Sequence, residues 1–246
     1  MIKSANPALN VNVFRNEMRY ATTDTMTIQG TVNKTGIMLL LLVFTASFTW
    51  NKFFLGQSVD KLMIAGVIVG VITAVITIFK KSWAPITAPI YALAQGLFLG
   101  GLSASFEMQY PGIVIQAVGL TFATLFCLLG AYKSGMIKVT ENFKLGLAAA
   151  MGGLILFYMV SFVLSFFGVS MGLITSSGPF GIGFSLIVVA IAALNLVMDF
   201  DFIENGADMG APKYMEWYGA FGLMVTLIWL YIEILRLLAK LQSRRD

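Results

Sequence analysis

The sequence predicts an all-helical membrane protein with seven transmembrane helices. Hydrophobic residues make up 58% of the 246 and charged residues only 11%, whereas a soluble chain carries about 25% charged residues. Apolar runs of about 20 residues, long enough to cross a hydrocarbon layer about 30 Å thick, follow one another with short connections. The alternating segments of about ten residues that mark a membrane β-barrel are absent.

The first 33 residues are polar and mixed in charge, and predict a cytoplasmic leader without a cleavable signal sequence. Within it Val11, Val13, Phe14 and Met18 could form a short interfacial helix with Arg15 and Arg19 snorkelling. The seven-helix domain is expected over 34–241 and a basic tail over 242–246. Span one runs from about Thr35 to Phe53, and Asp60 and Lys61 mark the loop after it. Span two, about Leu62 to Phe79, carries Gly66 and Gly70 four apart, a spacing that lets backbones approach closely in lipid.

Span three opens at Pro85 and Pro89, near a helix start, and continues through Gln95, Gly96, Gly100, Gly101 and Ser103. So many small residues predict a packed position rather than lipid exposure. Span four ends near Tyr132. Span five, about Leu145 to Phe167, offers another small face in Gly146, Ala149, Ala150, Gly152 and Gly153. An uncharged loop, 168–183, leads to span six, about Phe184 to Ile203. The last segment, Tyr214 to Leu241, is too long for one untilted crossing. Gly219 and Gly222 suggest a break that leaves Lys213 to Gly222 in the interface, with Trp217 and Tyr218 suited to it. Glu233 would then lie about 16 Å deep, near the midplane, whereas an unbroken helix entering at Tyr214 would carry it about 28 Å down, to the far surface; the break is the favoured arrangement.

Basic residues set the orientation. With the amino terminus inside, Lys3, Arg15, Arg19, Lys34, Lys80, Lys81, Lys133, Lys138, Lys144 and Lys213 are cytoplasmic. Lys52, Lys61, Arg236, Lys240, Arg244 and Arg245 are outside. The basic carboxyl terminus would instead be satisfied by a seventh segment that dips in and returns. No inverted repeat of the kind many transporters show is visible.

The chain has no histidine and a single cysteine, Cys127. Intramolecular disulfides, the usual zinc sites and the histidine-assisted nucleophiles are therefore excluded. A pH response near neutrality must come from carboxylates. No motif supports an enzyme: the glycines from Gly96 to Gly101 lack the strand and context of a phosphate-binding loop. No cofactor and no nucleic-acid partner are expected.

The chemistry concentrates where span six ends, at Asn195, Asp199, Asp201 and Glu204. A carboxylate inside a bilayer costs at least about 2.5–3.5 kcal/mol, so it faces a protein interior or a water path. Asp199 and Asn195, one turn apart, share a face. Asp201 and Glu204 read as solvated acids at the membrane boundary. Gln95 reads as a helix-to-helix hydrogen bond, Arg236 as a snorkelling side chain or a counter-ion, and Glu233 as either a sensor or the partner of Arg236 three residues on.

Four stretches taken together resemble the Bax inhibitor / YccA family over nearly the whole chain, most closely its bacterial branch. These are Gly30 to Gly36, Ala88 to Gly100, Leu196 to Glu204 and Trp229 to Glu233. The resemblance implies a central last helix surrounded by the other six, in the bacterial inner membrane. It implies a pH-sensitive calcium leak, or a non-conducting partner of a membrane-anchored AAA protease, for which the leader is the natural determinant. The family's sensor is a pair of aspartates. Asp199 to Ile203 looks like its Asp-Thr-Gln-x-Ile, and Leu230 to Glu233 like its Leu-Tyr-Leu-Asp, with glutamate in place of aspartate. The resemblance therefore assigns the pH sensor and ion path to Asp199 and Glu233, with Arg236, Asn195, Gln95, Asp201 and Glu204 as auxiliary groups. Two carboxylates in one dry site would hold a single proton between them. With few oxygens on offer against the six to eight that calcium takes, they would bind it weakly and transiently. A salt bridge from Arg236 to Asp199 would hold a closed state.

Overall fold

A computed structural model describes residues 25–168 and 176–244. Seven helices in it are long and apolar enough to cross a membrane. They are α1 (Ile28–Phe54), α2 (Asp60–Phe79), α3 (Ala84–Gln109), α4 (Ile113–Lys133), α5 (Glu141–Phe166), α6 (Pro179–Asp208) and α7 (Met215–Ser243). A single 3-10 turn, Lys81–Trp83, precedes α3. Leu40, Phe44, Phe79, Phe162 and Phe166 all stand exposed. So much apolar side chain outside is foreign to a water-soluble surface and suits lipid. The chain is an integral, multi-pass membrane protein.

The helices divide between two compact units. The first holds α1, α2 and α3 together with 201–225, the end of α6 and the start of α7. Small residues set its packing. A Cβ at Gly96 would strike Thr45 Oγ1 and the Leu42 carbonyl, and one at Gly100 the Ala46 carbonyl, so α3 lies directly on the α1 backbone. A Cβ at Gly66 would fall 2.5 Å from the Ala94 carbonyl, and α2 meets α3 in the same way. The Thr45 hydroxyl donates across to Leu93 O at 2.9 Å. Gly66, Gly96 and Gly100 thus allow the close backbone approach that small residues predict, whereas Gly70 and Gly101 make room for the Gln95 and Met63 side chains.

The second unit holds α4, α5, α6 up to Phe200, and α7 from Thr226. Here the small face expected on α5 is not used: a Cβ at Gly146, Gly152 or Gly153 would meet nothing within 4 Å. Helix α5 packs instead through Leu147, Leu154 and the ring of Phe157, which lies 5.0 Å from that of Phe184 on α6. Small residues permit close approach but do not compel it.

The starts of α1 and α6 differ from expectation. Helix α1 begins at Ile28, inside the stretch expected as leader, because the Thr27 side chain caps it. Residues 1–24, which contain the expected interfacial helix and most of the expected protease-binding leader, lie outside the described residues, as do Arg245 and Asp246 of the tail. Helix α6 begins at Pro179, within the expected loop.

The largest difference is in α7, which is one uninterrupted helix of 29 residues. The expected break and interfacial segment are corrected. Gly219 is a packing glycine, where a Cβ would stand 3.3 Å from both Ile203 Cγ1 and Thr31 Cγ2. Tyr218 is not at an interface: it is fully buried, with its ring 6.4 Å from that of Phe221. A dipping and returning segment is excluded with the break. Helix α7 is the most buried of the seven.

Candidate functional site in the last two helices

Asp199 lies on α6 with none of its surface exposed, and Asn195, one turn earlier, is 3% exposed. The shared face read from their spacing is present. The Asn195 side chain is fixed by α7, donating from Nδ2 to Thr226 Oγ1 at 2.9 Å. Farther along α7, Lys240 Nζ donates to Gly181 O at 3.1 Å and Ser185 Oγ at 2.8 Å on α6. These contacts fix an antiparallel register in which Asn195 stands opposite Thr226, and Gly181 and Ser185 opposite Lys240.

That register separates the two acids expected to form the sensor. Counting back from the Lys240 contacts and forward from Thr226, Glu233 faces the stretch from Val188 to Ala192 on α6. Asp199 is seven to eleven residues beyond that stretch, roughly 10–16 Å along the axis at about 1.5 Å per residue. Carboxylates sharing one proton stand about 3 Å apart. Asp199 and Glu233 therefore do not form a pair or a common calcium site. The motif match at Leu230 to Glu233 places the second acid two to three turns too far along α7. Among the described residues, no group of three or more His, Cys, Asp or Glu side chains gathers as a metal site.

Glu233 has a different partner. It is 4% exposed, and its Oε1 accepts from Arg236 Nη1 at 3.2 Å. Arg236 is on the same helix and half exposed, so it reaches outward from a buried acid. The expected bridge from Arg236 to Asp199 is corrected accordingly: Arg236 belongs to the level of Glu233. Glu204 is exposed and Asp201 half-buried, in keeping with boundary acids. Gln95, in the first unit, lies over Gly70, whose Cβ would come within 2.6 Å of the amide nitrogen.

One buried acid escaped the sequence reading. Glu216, in the first turn of α7, has no exposed surface. It receives hydrogen bonds from the Thr27 N–H and hydroxyl, each 2.9 Å, and ion pairs from Lys34 and from Lys213 at 3.2 Å. Read as an interfacial residue, it had no reason to be singled out. The available signal was Gly30, which is followed one turn later by Lys34.

A family model described as "Bax inhibitor 1 like" matches residues 6–243. No curated protein matches the chain.

Proposed function

Because the chain belongs to the Bax inhibitor family, we propose that it is a pH-sensitive, low-rate cation leak, with calcium as the cation and Asp199 as the group whose charge sets the rate. One observation carries this reading. A carboxylate with no exposed surface sits on an apolar spanning helix, one turn from a buried amide. Such an acid is costly in a membrane, and its retention there is the usual mark of an ion or proton path. Its two protonation states act oppositely on a cation. The ionised form attracts one, and the protonated form offers no charge at all. The complete burial of Asp199 within its own unit, among α4, α5, α6 and α7, supplies the dry surroundings that make this difference large.

The site needs no resident metal, since a leak requires weak, transient contact with its ion. The membrane is the bacterial inner membrane, with the amino terminus in the cytoplasm. Glu233 and Arg236 act at a separate level of α7 as a local acid–base pair.

Calcium flux into proteoliposomes, followed with an entrapped indicator across external pH, tests the reading. Wild-type flux should change with pH. Asp199→Asn should lower it several-fold and flatten the profile, while Glu233→Gln should leave the pH dependence in place. An Asp199→Asn protein with unaltered flux and profile would remove the proposed sensor.

A further inference from the structure

The start of α1 carries half of a capping box. Thr27 is the N-cap, and its hydroxyl accepts from the Gly30 N–H at 2.9 Å. In the usual arrangement a glutamate or glutamine three residues after the cap reaches back to the cap's own N–H. Here that position is Gly30, which has no side chain.

The carboxylate comes from another helix. Glu216 Oε1 on α7 accepts from the Thr27 N–H and also from its hydroxyl. A Cβ on Gly30 would collide with both carboxylate oxygens, so the glycine leaves the space that the visiting side chain fills. Lys34, one turn after Gly30, pairs with Oε2 and lies 5.6 Å from the centre of the Trp217 ring. Lys213 supplies a second cation at 3.2 Å. Next to this cluster the Met26 N–H donates to Ala211 O at 2.7 Å, and Thr25 and Pro212 form an antiparallel bridge. A buried carboxylate is tolerable only with such a set of donors, and a helix N-terminus favours its charge further.

We propose that Glu216 completes the α1 capping box in trans and works as a latch: the first turn of α1 is ordered only while the start of α7 is seated on it, and loss of the carboxylate frees that turn together with residues 25 and 26. The latch gives the motif from Gly30 to Lys34 a role that the ion path does not use. It stands whether or not the protein conducts calcium.

The test uses the full-length protein in lipid nanodiscs. Amide hydrogen exchange over 25–34 and thermal midpoints are compared for wild type, Glu216→Ala, Gly30→Ala and the double variant. An alanine in place of a helical glycine normally stabilises. Gly30→Ala should instead lower the midpoint in the wild-type background, and should leave it unchanged or raise it once Glu216 is alanine. Glu216→Ala should speed exchange at 25–31 about tenfold, as loss of a cap worth somewhat over 1 kcal/mol would do, with α2 and α3 unaffected. Wild-type exchange in Glu216→Ala, or an equal penalty for Gly30→Ala in both backgrounds, would overturn the latch. If Glu216→Ala does not fold, Lys34→Met serves instead. Faster exchange at 25–31 alone supports the latch, and wild-type exchange overturns it.

Discussion

The Asn195 amide donates to Thr226 across two helices, and its Oδ1 accepts no hydrogen bond among the described residues. The two ends of this bond should respond unequally to removal. Thr226→Val takes away the acceptor and leaves a buried amide unsatisfied, a loss of about 1–3 kcal/mol. Asn195→Leu removes the whole amide, and the remaining hydroxyl can turn to a carbonyl one turn back on its own helix. Thermal unfolding in detergent should therefore show Thr226→Val as the more damaging change. Equal losses would mean that the bond contributes no more than the average of about 0.6 kcal/mol found between membrane helices. The shared face of Asn195 and Asp199 was legible from their spacing alone. Their partner was not, because a threonine in an apolar helix looks like any other small residue. Glu216 was hidden for a related reason: its Thr27 and Lys34 donors lie more than 180 residues away in sequence.

At the level of the helix, the glycines give a sharper test of what the sequence can say. Gly100 of α3 and Gly152 of α5 both lie in small-residue runs, and the sequence treats them alike. The structure does not. A Cβ at Gly100 strikes the α1 backbone, which cannot move aside as a flexible side chain would, and one at Gly152 meets nothing. Gly100→Ala should cost about 1–3 kcal/mol through overpacking. Gly152→Ala should stabilise by about 0.5–1 kcal/mol, the usual gain in a helix interior. Thermal midpoints of the two variants decide the matter, and shifts of the same sign would mean that α5 packs as α3 does. The number and order of helices were legible because apolar length is a one-dimensional property. Which glycine touches a neighbour depends on rotation about the helix axis, and the weak amphipathicity of membrane helices leaves that rotation undetermined. The unbroken α7 belongs to the same class, since Gly219 and Gly222 read as a break until Ile203 and Thr31 are seen against Gly219.

For the molecule as a whole, the continuity of α7 bears on a conflict that charge counting leaves open. Basic residues in the loops favour a cytoplasmic amino terminus, yet the carboxyl-terminal end carries Arg236, Lys240, Arg244 and Arg245. A returning segment would reconcile the two, but 29 helical residues without interruption reach about 43 Å and cross completely. An odd number of crossings would put the two ends on opposite faces, so with the amino terminus in the cytoplasm, as proposed, the terminal cations are predicted to lie outside. Arg236 is neutralised locally by Glu233, and Lys240 is held in place, though not neutralised, by Gly181 and Ser185. Charges held in this way contribute less to orientation than free ones in a short loop. Single cysteines placed in a Cys127→Ser background make the prediction concrete. Gln57→Cys, in the loop between α1 and α2, and Ser243→Cys, at the end of α7, should react with a membrane-impermeant maleimide in intact cells. Ser134→Cys, in the loop between α4 and α5, should react only after permeabilisation. All three positions are exposed, so an absence of labelling reports the membrane and not burial. Labelling of Ser243→Cys together with Ser134→Cys, and not with Gln57→Cys, would mean that α7 turns back before it crosses, and the register that separates Asp199 from Glu233 would fall with it.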